Sequence, residues 1–307
     1  MTLNSTVVTP PSAEEAVLRY QAIRDRLPAA EFPSTSIYKP NLEALCDDID
    51  CFVLDGFGVL NVGDSTVPGA VDRVRALRAL GKEVRVLTNG ASYPVAKTRG
   101  KYMNWGMPFS AEEVVSSRDA LAVALAGLSS NKCWGFSALA RSELDELTPN
   151  AALLENDYEL YKRCDGFVLL GAGEWTDEKQ QLLIKALQDR PRPLLVGNPD
   201  LVAPQTAGLS KEPGWYAHLI QDATGVEPKF YGKPFDNAFS LIRKGVDGID
   251  PSRIAMVGDT LHTDILGGAQ SGWKTVLVTD HGLMRGLDVE VAIQDSGIRP
   301  DYVVPTT

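Results

Sequence analysis

The chain has 307 residues, 44% hydrophobic and 23% charged, with a formal net charge of −10. That length exceeds one ordinary core and implies two domains, or one domain with a large insertion. The acidic balance argues against nucleic acid or an anionic membrane as the main partner, though not against a small anionic substrate. No apolar run approaches the ~18 residues of a membrane span. The N-terminus has no basic segment leading into an apolar one, so no secretory signal is expected. Cys46, Cys51, Cys133 and Cys164 show neither a CxxC pair nor metal spacing. Reduced thiols in a cytoplasmic protein are the expectation.

Residues 1–12 are polar and Pro-containing and read as a loose arm. Ser12 and Glu15 have capping-box spacing and open a helix expected to run to Leu27. After an irregular stretch to Pro40 and a short helical turn over 41–47, CFVLDGFGVLN begins at Cys51. Its first four residues are mostly apolar and run into Asp55, as in a buried parallel strand that then turns sharply. A helix over 69–80 ends at Gly81, and the strand EVRVLT (83–88) follows, which makes one βαβ unit. A helix over 93–105 and a strand over 112–117 come next.

From Arg118 to Pro204 a second α/β rhythm is expected. It has a helix over 118–128, strands over 132–136, 151–155, 166–171 and 193–197, and helices over 138–147 and 176–189. The first pattern then resumes with a helix over 215–224, the strand PKFYG, a helix over 236–245, and the strand RIAMVGD (253–259). A helix over 264–271 and the strand KTVLVT (274–279) complete it. The expected fold is a doubly wound parallel α/β core formed by 1–117 and 205–307, with an α/β cap over 118–204. The first 40 residues either pack on the core or mediate self-association as a homodimer.

Four strand ends carry polar groups, and each alone has an ordinary reading. Asp55 before Gly56 suits a turn, Thr88-Asn89 a helix cap, Lys233 a solvated loop, and Asp264 an N-cap. Taken together they describe a Mg²⁺-dependent phosphoryl-transfer site. Mg²⁺ takes one or two carboxylates together with water and phosphate oxygens. Asp55 and Asp259 would supply those carboxylates, and Asp55 would also attack phosphorus. Lys233 would neutralise the crowded anions, and Thr88 would donate to a phosphoryl oxygen. Asp264 would hold Lys233 or a metal-bound water.

The segments DGFGVL, VLTNG, FYGKPFDNAF and VGDTLHTDILGGAQSGWKTVLVTDHG resemble the haloacid-dehalogenase superfamily from about Asp50 to Thr279. The Gly-Lys-Pro form resembles its class IIA members, the p-nitrophenyl phosphatase-like enzymes. The interval from Asp55 to Thr88 is too short for a cap, whereas that from Thr88 to Lys233 has room for a domain. The resemblance implies a cap there that closes over a small phosphorylated metabolite. It also implies a metal ligand from the Phe57 backbone carbonyl and a substrate loop bearing Asn198 and Asp200. Thr88, Asn89, Gly90 and Lys233 are the remaining substrate-binding expectations.

One position departs from the family pattern. Phosphatases of the superfamily usually carry a second aspartate two residues after the nucleophile, and here Phe57 stands there. Phenylalanine cannot transfer a proton, and losing such a group typically costs ~10² to 10⁴ in rate. Three readings follow: a phosphatase suited to good leaving groups or using His262 or His281 instead, a dehalogenase-like hydrolase, or a ligand-binding relative with little turnover. Trp134, Trp175, Trp215 and Phe136 suit core packing better than a cap lining. Arg118 and Arg141 lie near the expected cap entrance.

Overall fold

The computed structural model describes residues 10–128 and 131–307. The arm expected over 1–12 lies mostly outside the described residues. Ser12 does form the expected capping box: its side chain accepts from Glu15 N, and the Glu15 carboxylate accepts from Ser12 N. The helix it opens, Ala13–Ala22, is shorter than expected and passes into a 3₁₀ turn at Arg24–Arg26.

A seven-stranded, wholly parallel sheet forms the larger unit. Its order is Ile37–Tyr38, Tyr302–Val304, Lys274–Val278, Ile254–Gly258, Cys51–Leu54, Glu83–Thr88 and Val114–Ser116. From Cys51–Leu54 the chain steps outward through Glu83–Thr88 to Val114–Ser116. It later returns on the other side of Cys51–Leu54 to lay down Ile254–Gly258. The direction of winding therefore reverses between Cys51–Leu54 and Ile254–Gly258, and such a point opens a crevice at the carboxyl ends of the strands. All four residues of Cys51–Leu54 and all five of Ile254–Gly258 are buried, as expected for strands covered on both faces. The outer strand Tyr302–Val304 and the helix Val289–Ser296 lie beyond the sequence expectation, which stopped at Thr279.

A five-stranded parallel sheet forms the second unit, in the order Lys229–Phe230, Leu194–Val196, Gly166–Leu169, Trp134–Ser137 and Ala151–Leu153. Its elements extend past the expected boundary at 204. Lys229–Phe230, expected in the larger sheet, instead pairs with Leu194–Val196, Leu195 opposite Lys229. The helix Pro213–Thr224 buries Ala217 and Ile220 in the same apolar cluster as Leu183, Leu187 and Val196. Two apolar positions spaced three apart on that helix match the open face of the second sheet, and this contact holds 213–230 there.

The helix expected over 138–147 is a loop followed by a short 3₁₀ turn, Leu144–Glu146. Two side chains take up backbone groups that a helix would use. Ser142 Oγ accepts from Leu139 N, and the buried Arg118 donates to Glu143 O at 2.8 Å. Trp134, Phe136 and Trp175 are buried, and among the described residues no helix is long and apolar enough to cross a membrane.

Candidate active site

Asp55 follows the strand Cys51–Leu54 directly, and its backbone N–H continues the pairing by donating to Val257 O at 2.9 Å. That register places Asp55 beside Gly258 and Asp259, across the reversal point. Leu54 pairs with Val86 on the other side, so the end of Glu83–Thr88 brings Thr88 to the same edge. The wide turn Leu261–Ile265 then folds Asp264 back beneath Gly258. A side chain at Gly258 could not fit, since a Cβ there would lie 2.0 Å from Asp264 Cγ. Gly282 is under the same restriction, its Cβ position falling 1.8 Å from Asp259 Oδ2. The glycines of VGD and DHG are thus read as close approaches of backbone to carboxylate.

Asp55, Asp259 and Asp264 are all buried, and each offers an oxygen within 4.8 Å of the others. Lys233 Nζ bridges two of them, 2.5 Å from Asp55 Oδ1 and 2.6 Å from Asp264 Oδ1. Asp55 Oδ1 also accepts from Gly56 N at 2.7 Å. Asp259 Oδ1 accepts from Thr260 Oγ1 and Oδ2 from Leu283 N. Thr260 N donates to Asp264 Oδ2 at 3.1 Å.

One ammonium against three buried carboxylates leaves an excess of negative charge in the crevice. Burial pushes the Asp55 carboxyl up to about 8, with Asp264 and Asp259 adding and Lys233 opposing. Asp259 is pushed up to about 7, again by burial first and Asp264 second. Against the pull of burial, Asp264 and Asp55 hold the Lys233 ammonium above the usual lysine range. The lysine therefore stays charged, and its single positive charge falls short of the three carboxylates around it. An all-oxygen donor set with this deficit fits a hard divalent ion.

Asn89 ties the crevice to the second unit. Its Oδ1 accepts from Lys233 N at 2.8 Å, and its Nδ2 donates to Lys233 O at 2.9 Å and to Asp200 Oδ1 at 2.7 Å. Those three bonds occupy most of what an amide side chain can make, so Asn89 acts as a clamp on the lysine. Gly232 approaches it closely, as a Cβ there would lie 2.5 Å from Asn89 Oδ1. Thr88 Oγ1 accepts from Gly90 N at 3.2 Å. Asn198 Oδ1 accepts from Asp200 N, and Asn198 Nδ2 donates to Glu212 Oε2. Burial pushes Asp200 and Glu212 each up to about 7.

A cavity of about 890 Å³ opens beside the cluster, with Phe57, Thr88, Lys101, Arg141, Asp200 and Glu212 among its lining residues. It brings together residues of both units. His262 and His281, the candidate substitute acids, are not among the lining residues of this cavity. His262 is buried and stacks on Tyr20 with ring centroids 4.9 Å apart, and burial pulls its pKa down to about 3. Such an imidazole is neutral at pH 7 and has no proton of the right acidity to give. His281 pairs with Thr306 Oγ1 at 2.9 Å, and burial pulls it down as well. Arg118 is spent on Ala91 O and Glu143 O, whereas Arg141 does reach the cavity. Lys101, Tyr102 and Glu212 were not singled out in the sequence. Lys97 and Lys101, four apart on one face of a helix, both line the cavity, and nothing in the sequence shows that Lys97 pairs with Glu143 while Lys101 has no ion pair among the described residues.

Two family models match the chain. One is described as a haloacid dehalogenase-like hydrolase and covers residues 52–146; the other is described as HAD-hydrolase-like and covers residues 230–307. The acid sugar phosphatase of Staphylococcus aureus is 27% identical over 255 residues, which is 82% of this chain and 92% of that protein. The 4-nitrophenylphosphatase of Schizosaccharomyces pombe is 28% identical over 280 residues, 84% of this chain and 92% of that protein. Among solved structures, a possible sugar phosphatase from Cytophaga hutchinsonii superposes with a TM-score of 0.78 at 24% identity, covering 89% of this chain and 98% of that one. The two models fall on the halves that meet at the crevice, one carrying Asp55 and Thr88 and the other Lys233, Asp259 and Asp264. The chain accordingly belongs to the haloacid-dehalogenase-like hydrolases, in their class IIA, p-nitrophenyl phosphatase-like branch.

Proposed function

We propose that the chain is a phosphohydrolase that releases phosphate from a small phosphorylated metabolite. The observation that carries this reading is the buried cluster of Asp55, Asp259 and Asp264 around one lysine at the point where the sheet winding reverses. Asp55 is the nucleophile. Its carboxylate oxygen bonds to phosphorus as the ester P–O bond breaks, and water later cleaves the aspartyl phosphate. Lys233 orients the Asp55 carboxylate and offsets charge on the phosphoryl oxygens. Thr88 donates its hydroxyl proton to one of those oxygens. Asp55, Asp259, Asp264 and the Phe57 carbonyl would hold Mg²⁺, which, when bound, neutralises the phosphoryl group.

The second sheet, with elements from Trp134 to Phe230, acts as the cap, and Asn198 and Asp200 belong to its substrate loop. The dehalogenase reading has less support. A halide leaving group asks for no divalent cation, whereas this site has a deficit of one.

The test is phosphate release from p-nitrophenyl phosphate by the purified chain, with Mg²⁺ and after chelation. We expect turnover with Mg²⁺, its loss on chelation, and its abolition in Asp55→Asn. Absence of release from this ester and from acetyl phosphate, both with good leaving groups, would reject the proposal.

A further inference from the structure

One charged group on the cavity wall is used neither by the fold nor by the chemistry above. Lys101 lies on the helix Val95–Asn104 and is half-buried. Its Nζ sits among three aromatic rings, 5.1 Å from the centroid of Phe57, 5.1 Å from Tyr102 and 5.0 Å from Trp105. Its polar contact is a long one, 3.4 Å to Asn61 Oδ1. Among the described residues no carboxylate lies within ion-pairing distance of it. An ammonium carries three donors, and ring faces attract its charge without accepting its protons in ordinary hydrogen bonds. A cation drawn out of water in this way is under-solvated and is best satisfied by an anion.

Its location indicates which anion. Lys233 already serves Asp55 and Asp264 and is not part of the cavity wall, whereas Lys101 and Phe57 are. The helix bearing Lys101 is pressed against the loop after Asp55, since a Cβ at Gly56 would fall 2.7 Å from Tyr102 Oη. A phosphoryl group at Asp55 therefore sends the rest of the ester into the cavity, past Phe57 and Lys101. Arg141 extends the basic wall there, its guanidinium 5.2 Å from the Tyr93 ring and without an ion pair among the described residues. Of the acids of the same wall, Asp200 is engaged with Asn89 and Glu212 with Ser210 and Asn198, while Asp64 is exposed and beyond ion-pairing distance of Lys101.

We propose that Lys101 pairs with a second anionic group, a carboxylate or a phosphate, carried by the leaving portion of the substrate. This deepens the phosphohydrolase reading and rests on it. The position that would hold a carboxylate in the usual phosphatase holds Phe57 here, and the cation beside it is left for the substrate.

The test uses three matched esters, propyl phosphate, 3-phosphooxypropanoate and 1,3-propanediol bisphosphate, with the full chain and Mg²⁺. The two doubly anionic esters should show KM values lower than propyl phosphate by roughly 10-fold or more, the usual scale of one charge-assisted contact. The lower of the two tells carboxylate from phosphate. Lys101→Met should close that gap, and Lys101→Arg should keep it. Equal KM values for the three esters in the native chain, or a shift in Lys101→Met that is the same for all three, overturns the proposal while leaving the hydrolase standing. If none of these alkyl esters is hydrolysed while p-nitrophenyl phosphate is, the hydrolase reading stands and the alkyl leaving oxygen lacks its proton; if p-nitrophenyl phosphate is not hydrolysed either, that reading fails by itself. Isothermal titration of 3-phosphooxypropanoate then decides the subsite: weaker binding to Lys101→Met supports it, and equal binding overturns it.

Discussion

At the scale of single residues, the proposed nucleophile is followed two positions later by a side chain that can transfer no proton. Asp55 retains the lysine, the neighbouring carboxylates and the switch-point position that suit a nucleophile. The Phe57 ring lies beside Lys101 in the cavity wall and has no proton to give. An alkoxide leaving group needs a proton and nitrophenolate does not, so the native chain should favour nitrophenyl over alkyl esters. Phe57→Asp should restore a proton donor and raise turnover of propyl phosphate relative to p-nitrophenyl phosphate, by up to ~10². The measurement is the ratio of the two kcat/KM values. An unchanged ratio would mean that the leaving oxygen draws its proton from elsewhere. Asp55, Thr88, Lys233 and Asp259 could be singled out in the sequence because each stands at or just past a strand end with a glycine or a proline within two residues. Lys101 could not, since what sets it apart from Lys97 on the same helix face is the three rings around it, those of Phe57 and Trp105 coming from elsewhere in the chain or a turn further along the helix, rather than its spacing.

At the scale of elements, the sequence was most informative where burial is two-sided. Cys51–Leu54 and Ile254–Gly258 are continuous apolar runs and were placed in the right sheet. Lys229–Phe230 was not, because a two-residue strand next to a helix offers no period to read, and its partner is chosen by tertiary contact. The N-terminal helix was foreseen from its cap, but its job was not. Tyr20 is buried, stacks on the ring of His262 three positions beyond Asp259, and accepts a 3.0 Å hydrogen bond from Leu201 N. Arg19 and Arg26 from the same end of the chain both pair with Asp222 on the helix Pro213–Thr224. The helix therefore straps the loop bearing Asp200 to the core. Tyr20→Phe keeps the stacking but leaves Leu201 N without its partner, at a cost of about 1–2 kcal/mol. Hydrogen exchange should show faster amide exchange across 198–205, with the seven-stranded sheet unaffected. Equal protection in the two proteins would show that the strap does not hold this loop.

At the scale of the whole molecule, the carboxylate cluster joins parts of the chain that are far apart in sequence, so its charge balance should register in global unfolding. Without a divalent ion, three buried carboxyls share one lysine, and the repulsion is borne by the fold. Mg²⁺ binds the folded arrangement and not the dispersed one, so it should stabilise by mass action, about 2.7 kcal/mol at a hundredfold excess over its dissociation constant. Asp259→Asn separates the two effects. It removes one like charge from the cluster, which should raise the melting temperature of the metal-free protein. It also removes a ligand, which should abolish most of the further rise on adding Mg²⁺. Thermal unfolding of both proteins with and without the ion checks the pair of outcomes. A merely structural aspartate would lower the melting temperature in both conditions and leave the Mg²⁺ increment intact. Only a carboxylate whose burial is tolerated for the sake of a cation gives a more stable metal-free protein that no longer responds to the metal.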